Sequence, residues 1–470
     1  MKLNSRRDFI KKSVLGGLVL GTTGITGVAA HHADKTVDAP KSAAPPPRQG
    51  KSVIGYACDP IPTVRIGVVG LGRGGGAVYR MARVEGTKIV AICDLQPKRI
   101  ESAQKNLKDA GRPDPVVYTG DEEAWKKMCE RDDIDLIYNA TPWELHVPIA
   151  LYAMQHGKHV VVEVPAALTL ADCWALVDTA EKTQRHCMML ENCCYDFFEL
   201  ATLNMARHDV FGEVYHAECA YIHDLRASKH DKKGYHNMWR LEYSKHHTGD
   251  PYPTHGLGPV SQIMGINRGD RFDYLTSMST KQYGLTLYAE NHFGKDSPEA
   301  KATYKLGDMN TTLVHTLSGH TIMVQHDTTS PRPYDRIHKI SGTKGYAVKY
   351  PEEKIALDPE AHEFLKPEAF KALMAQYEHP LSKYIGEQAK AVGGHGGMDY
   401  IMDWRLIYCL RNGLPLDQSV YDAATWSCLT ELSEQSVLNR SNAVDIPDFT
   451  RGDWNKLKPL PVIDMVSVFS

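Results

Sequence analysis

From Val64 to Asn192, short unbroken apolar runs alternate with longer amphipathic stretches. The runs are Ile66–Val69, Lys88–Cys93, Val116–Val117, Ile134–Thr141, His159–Glu163 and Cys187–Asn192. Between them Pro97–Ala110, Glu122–Glu130, Val147–His156 and Leu170–Thr183 carry apolar residues at helical spacing. An apolar run without polar alternation is a strand covered on both faces. The pattern therefore predicts a doubly wound parallel sheet, whose ligands lie at the C-terminal strand ends. Beyond Phe211-Gly212-Glu213 the period drops to two, in Val214–His223, Tyr274–Tyr283, Thr311–Leu317, Thr321–Asp327 and Arg336–Ser341. Ser318-Gly319 and Gly342–Gly345 supply turns, so these runs predict a largely antiparallel sheet. Helices over Asp399–Asn412 and Tyr421–Asn439 would cover one of its faces. The fold class is α/β in the first half, followed by an α+β unit.

The first apolar run leads straight into Gly70-x-Gly72-x-x-Gly75 and then into residues that can start a helix. This is the strand–turn–helix of a Rossmann dinucleotide-binding unit. The first glycine permits the turn, the second lets the backbone approach a pyrophosphate, and the third lets helix and strand pack closely. The second run ends in Asp94, at the spacing where a carboxylate meets the adenosine ribose. The alternative is a glycine-rich loop in an unrelated α/β protein; the coincidence of loop and acid favours a nicotinamide dinucleotide. Asp94 repels a 2′-phosphate and so favours NAD over NADP; Lys98 and Arg99 argue for the phosphate instead, but are expected a helical turn away. The dinucleotide domain is bounded at residues 61–195 and a substrate-binding α/β domain at 196–470.

Length, charge and cysteines narrow the class. The chain has 470 residues, 42% apolar and 24% charged, enough for two or three globular domains. A net charge of -3 leaves no basic footprint for nucleic acid. At the N-terminus, Ser5-Arg6-Arg7-Asp8-Phe9-Ile10-Lys11 precedes an apolar stretch, Val14–Val28, and then Ala29-Ala30. That is the layout of a twin-arginine export signal over residues 1–30, with an uncleaved anchor as the alternative. The expected location is periplasmic or otherwise exported, with no membrane span in the mature chain. Residues 31–60, rich in Ala, Pro and Lys, read as a linker with no core to join. The ten cysteines show neither CxxC nor Cys/His zinc spacing and read as packing residues. His31-His32 and His246-His247 lack the spacing of a helical metal pair, so no metal is expected.

At Glu163-Val164-Pro165 the chain is similar to the Gfo/Idh/MocA family, which joins a Rossmann domain to a C-terminal domain with an open sheet. Sugar dehydrogenases of that family carry a working lysine where Val164 stands. A valine moves no proton, so net oxidation of a sugar loses support. Further motifs resemble one branch, glycoside hydrolase family 109. They are Thr141–His146, Leu190–Tyr195, Tyr221–Arg226, Trp239-Arg240, Tyr252–Pro259, Gln262–Arg268, Arg332–Tyr334, Gly394–Tyr400 and Ile446–Thr450. Their order covers about residues 60 to 455. The loop Gly72-Arg73-Gly74 is one residue shorter than that branch leads one to expect, and the insert between Asp224 and Trp239 has a sequence of its own.

The resemblance implies hydrolysis of terminal N-acetylgalactosaminides with an α preference. NAD would take a hydride from C3, loss of the C2 proton would expel the group at C1, water would add, and the hydride would return. This is the exception to paired-carboxylate glycosidases. By the same resemblance Gly72, Arg73, Asp94, Trp143, His146, Glu163, Val164 and Asn192 bind the cofactor. Tyr221, Arg240, Tyr252, Pro253, Thr254, His255 and Tyr334 hold a small-molecule or glycan substrate. His255 would deprotonate the C3 hydroxyl, and Tyr195 or Tyr252 would serve the C2 and leaving-group steps; His255 and Tyr252 read as part of a Pro/Gly-rich loop. Plainer readings stand beside these. Trp143 could simply pack under the nicotinamide half, Glu163 could fix the turn before Pro165, and Gly393–Gly397 with His395 could be a flexible lead into a helix. A sugar oxidoreductase retaining NAD(P) and a non-catalytic sugar-binding protein are the competing functions. The open sheet face is a candidate homodimer surface.

Overall fold

The computed structural model describes residues 45–463. The export signal and the first part of the linker, residues 1–44, lie outside the described residues. Six strands form one parallel sheet: β1 Val64–Val69, β2 Thr87–Cys93, β3 Val116–Tyr118, β4 Leu136–Asn139, β5 His159–Val162 and β6 Cys187–Met189. Their order is β3-β2-β1-β4-β5-β6, the doubly wound arrangement read from the sequence. β4, β5 and β6 are buried at every position, as their unbroken apolar runs require. The intervening helices are α1 Leu71–Met81, α2 Pro97–Asp109, α3 Ala124–Cys129, α4 His146–Gln155 and α5 Leu170–Thr183.

The glycine loop divides its labour differently from the motif. Gly70 sits at φ +84° with a Cβ position 2.5 Å from the Ala140 carbonyl oxygen, so both its conformation and its space exclude a side chain. Close packing of α1 on β1 falls to Gly74, whose Cβ would meet Val68 Cγ1 at 3.0 Å. Gly75 has open space around it. The packing glycine is thus Gly74 rather than Gly75.

The second sheet has the order β13-β12-β11-β7-β10-β9-β8-β14. Its strands are β7 Val214–Ile222, β8 Phe272–Ser279, β9 Asn310–Thr316, β10 Thr321–Asp327, β11 Lys339–Gly342, β12 Gly345–Val348, β13 Lys354–Leu357 and β14 Val444–Asp445. All pairs are antiparallel except β7 with β10. The strand predicted over Tyr274–Tyr283 stops at Ser279, and a helix starts at Gly284, whose N–H is held by Asp308. The helix predicted over Tyr421–Asn439 is two, Val420–Ser427 and Leu429–Leu438, meeting at Cys428. Helices Thr254–Met264 and Leu429–Leu438 lie on one face of the sheet, against β7 and β8. On the other face the register Thr276–Leu313–Met323–Glu218 aligns exposed Tyr274, Met278 and Leu313.

Part of the expected linker is docked. Arg48 donates to Glu181 Oε1 (2.6 Å), Asp453 Oδ2 (2.9 Å) and the Thr450 carbonyl (2.9 Å). Val53 is buried, and its N–H donates to Tyr421 Oη at 3.1 Å. From Arg48 onward the segment therefore joins the core, because its one arginine finds two carboxylates already in place. All ten cysteines are unpaired and all but Cys58 are buried, in keeping with packing roles. Among the described residues no helix is long and apolar enough to cross a membrane.

Candidate functional site

The C-terminal ends of β1, β4, β5 and β6 face the end of β7 across a cleft of about 1590 Å³. That is larger than the roughly 300–1,000 Å³ of a pocket for one small ligand, so two can share it. Along its first half runs α1. Leu71 N–H donates to Asp94 Oδ2 at 2.7 Å and Gly74 N–H to the Gly70 carbonyl. The N–H groups of Gly72 and Arg73 have no partner among the described residues. Two free N–H groups at a helix N-terminus are a cradle for a pyrophosphate, so these residues fit a dinucleotide.

Asp94 is itself held by two backbone amides, Leu71 and Gln96, each at 2.7 Å. Arg99, expected a turn away, lies beside it, with Nη1 3.7 Å from Asp94 Oδ2 and its guanidinium against Gly72. The first turn of α2 brings it back over the loop. Deeper in, Glu163 and Arg73 both line the cleft, and the Glu163 carboxylate is the main cause of a guanidinium pKa raised above its ordinary value. Trp143 donates its indole N–H to the Val164 carbonyl (3.1 Å). His146 has Nδ1 2.8 Å from the Pro165 carbonyl and Nε2 2.9 Å from that of Thr141. It ties the segment after β4 to the one after β5. Asn192 donates to Asp399 Oδ1 (2.5 Å), and Asp399 is held in turn by His395 (2.9 Å) and Arg80 (3.4 Å). Burial pushes the Asp399 carboxyl up, but these partners win and hold it below the usual carboxylate range. His395 is thus more than a flexible lead into a helix: it fixes the acid that orients Asn192.

The sugar half is built on a buried helix. Thr254–Met264 is helical and buried throughout, which corrects the reading of a Pro/Gly-rich loop. Only Tyr252 and Pro253 precede it. Its first turn brings His255 Nδ1 within 2.7 Å of Glu191 Oε1, which also accepts the Cys193 N–H at 3.1 Å. Glu191 is fully buried; burial raises its pKa, but His255 and the hydrogen bonds outweigh that and keep it below the ordinary range. An ionised Glu191 fixes the proton of His255 on Nδ1 and leaves Nε2 as the basic atom. Glu191, Cys193 and His255 are the one grouping of potential metal ligands among the described residues, and the Glu191–His255 hydrogen bond already occupies its centre.

Arg240 has its guanidinium carbon 4.8 to 5.0 Å from the ring centroids of Trp143, Tyr235, Trp239 and Tyr252. It forms no ion pair with a carboxylate among the described residues, and its Nε has no partner. Tyr252 packs on Tyr221 (4.6 Å between centroids) and on His255 (4.9 Å). Burial raises both phenols and Arg240 pulls the other way, leaving both above the ordinary tyrosine value. Tyr334 stands half-exposed at the mouth, 6.1 Å from Tyr221. Leu225, Ser228, Gly234 and Tyr235 line the cleft, so the insert does border the site.

Gly72, Arg73, Asp94, Trp143, His146, Glu163, Val164, Asn192, Tyr221, Arg240, Tyr252, His255 and Tyr334 all line this cleft. Three expected residues do not. Tyr195 is buried elsewhere and donates its hydroxyl to Asp417 at 3.3 Å, beside the Arg405–Asp417 pair. The short helical turn after β6 carries its ring away from the strand end, so its hydroxyl does not reach the cleft as an acid–base group. Pro253 and Thr254 face inward from the start of the buried helix and line no part of the cleft. Glu191 and Asp399 were missed: each is a carboxylate in an apolar or glycine-rich stretch, and only its distant partner reveals its use.

Comparison with known proteins agrees with both halves. Residues 64–191 match the family described as oxidoreductase family, NAD-binding Rossmann fold, and residues 195–456 match glycosyl hydrolase 109, C-terminal domain. An alpha-N-acetylgalactosaminidase of Bacteroides fragilis is 56% identical over 408 residues, covering 86% of this chain and 96% of its own. A glycosyl hydrolase family 109 protein of Phocaeicola vulgatus is 56% identical over 411 residues, covering 86% and 99%. Among solved structures, levoglucosan dehydrogenase in complex with NADH and L-sorbose shares the fold. It has a TM-score of 0.61 at 17% identity and covers 83% of this chain and all of its own.

Proposed function

Because the chain belongs to glycosyl hydrolase family 109, we propose that it cleaves terminal α-N-acetylgalactosaminides by a cycle that oxidises and re-reduces C3 of the sugar. The observation that carries this reading is one cleft containing both the free N–H groups of Gly72 and Arg73 and a histidine held by a buried carboxylate. An opposed pair of catalytic carboxylates finds no support. Of the acids near the sugar half, Glu163 faces Arg73, and Asp196 is bound by Arg336 and Lys349, each at 2.7 Å.

NAD held on Gly72, Arg73, Asp94 and Asn192 would supply reversible hydride exchange at C3. His255 Nε2 takes the C3 hydroxyl proton, and Glu191 stabilises the imidazolium that results. Tyr252 enters the cycle as a phenol because burial outweighs Arg240. Arg240, which has no carboxylate of its own, is the group able to stabilise its phenolate when the C2 proton is removed. Each positioned acid or base contributes about 10²–10⁴ in rate. Trp143 and Trp239 wall the pocket, and Arg240 has donors free for the sugar.

The test is hydrolysis of aryl N-acetylgalactosaminides by the purified protein in deuterated water without added cofactor. Aglycone release with deuterium at C2 and no net NADH is expected. Accumulation of NADH or a keto-sugar would mean an oxidoreductase, and binding without turnover a sugar-binding protein. Export by the twin-arginine route is proposed on Arg6-Arg7 and the apolar stretch that follows, and a homodimer on the exposed face around Tyr274, Met278 and Leu313.

A further inference from the structure

Among the described residues five histidines line the cleft, and His223 is the half-buried one that the scheme above leaves unused. It follows β7 directly, and its backbone is pinned by its N–H donating to the Asp327 carbonyl at 2.8 Å. Its ring stands edge-on to Tyr334 (5.3 Å between centroids, 87°) and 6.2 Å from Tyr221. Nδ1 is buried without a partner and closed to a ligand, whereas Nε2, which has no partner among the described residues, is not buried and is the nitrogen left for the cleft. His146 and His255, by contrast, have their Nδ1 atoms bonded to a carbonyl and a carboxylate.

Its position says which part of the ligand. Tyr252 and His255 are 3% and 6% exposed and mark the inner end of the sugar pocket; Tyr334, 36% exposed, marks the mouth. His223 packs on the mouth residue. A terminal sugar with C3 at His255 must send the group on C1 outward, past His223.

Resting on the glycosidase reading, we propose that His223 is a second acid–base residue that serves the oxygen on C1. As the C2–H electron pair forms the C1–C2 double bond, the C1–O pair leaves with the oxygen, which takes a proton from the His223 imidazolium. When water bonds to C1 and C2 regains its proton, the neutral imidazole takes a proton from that water. One proton is given and one taken per turnover, so the cycle closes. Burial lowers the imidazole below its ordinary range, which makes its cationic form the stronger acid.

The experiment uses the purified protein carrying its bound dinucleotide and two variants, His223→Ala and His223→Gln. Substrates are N-acetylgalactosaminides with a dinitrophenyl leaving group, which needs no proton, and with methyl or sugar leaving groups, which do. Both variants are expected to keep bound dinucleotide and nearly wild-type kcat/KM on the dinitrophenyl substrate. On the poor leaving groups they should lose about 10²–10⁴-fold, with added imidazole restoring part of the loss in His223→Ala. Equal losses on all substrates, or no loss on the methyl glycoside, overturn the proposal. A wild-type protein that releases no aglycone at all sinks the glycosidase reading instead, and this proposal with it.

Discussion

His255 and His146 are both buried histidines of one cleft, and their nitrogen partners separate their roles. His146 has both nitrogens facing backbone carbonyls, one of which takes its single N–H, so it acts on a ligand only through the segments it joins. His255 spends one, on an ionised carboxylate, and keeps the other. His255→Ala is expected to retain bound dinucleotide and lose turnover, read as absorbance of the purified protein against aglycone release. Glu191→Gln removes the charge that fixes the imidazole proton on Nδ1. We expect kcat/KM to fall by about 10²-fold or more with KM little changed, and unaltered kcat would exclude Glu191 from positioning the base. Tyr195 shows the limit of reading roles from a motif: it lies four residues past Glu191, yet its hydroxyl serves Asp417.

At the scale of elements, the helix Thr254–Met264 decides most. Glycines at 256 and 258 and Pro259 read locally as a loop, since Gly and Pro both weaken helices. The helix forms because it is wholly enclosed, and the glycines are what allow the enclosure. A Cβ on Gly256 would stand 2.4 Å from the Ala220 amide nitrogen of β7, and one on Gly258 2.7 Å from Glu191 Cγ. Gly256→Ala is expected to cost about 1–3 kcal/mol by overpacking, measured as a lower melting temperature. Gly258→Ala should depress turnover through Glu191 beyond its effect on stability, and equal activity per folded molecule would count against that. The break at Cys428 was invisible because apolar residues continue across it, from Trp426 to Leu429 and Leu432, and only packing sets the boundary. The parallel sheet was legible because its strands are buried on both faces and so write unbroken runs into the chain.

For the whole molecule, one buried carboxyl without a cationic partner contributes a pH response of its own. Asp250 is buried with one oxygen unpartnered, and burial raises its carboxyl to about 7. A folded-state pKa above the unfolded value of about 3.9 means stability fully present below pH ~4 and lost as pH rises through about 7. Asp250→Asn keeps an acceptor for the Tyr252 N–H and should flatten the melting temperature across that window; an unchanged slope would clear Asp250 of the effect. For export, Arg6→Lys with Arg7→Lys is expected to shift the protein from the exported to the cytoplasmic fraction, and unchanged fractionation would remove the twin-arginine route. The chain by itself determined the parallel sheet and the glycine loop with its carboxylate, because those depend on burial period and on glycine and carboxylate chemistry over short spans. Only the tertiary structure decided that Tyr195 leaves the site while Glu191 and Asp399 support it, that Arg99 lies on Asp94, and that Arg48 is docked. Each of those depends on a partner far away in sequence, and no local pattern records where a charge or a hydroxyl will find it.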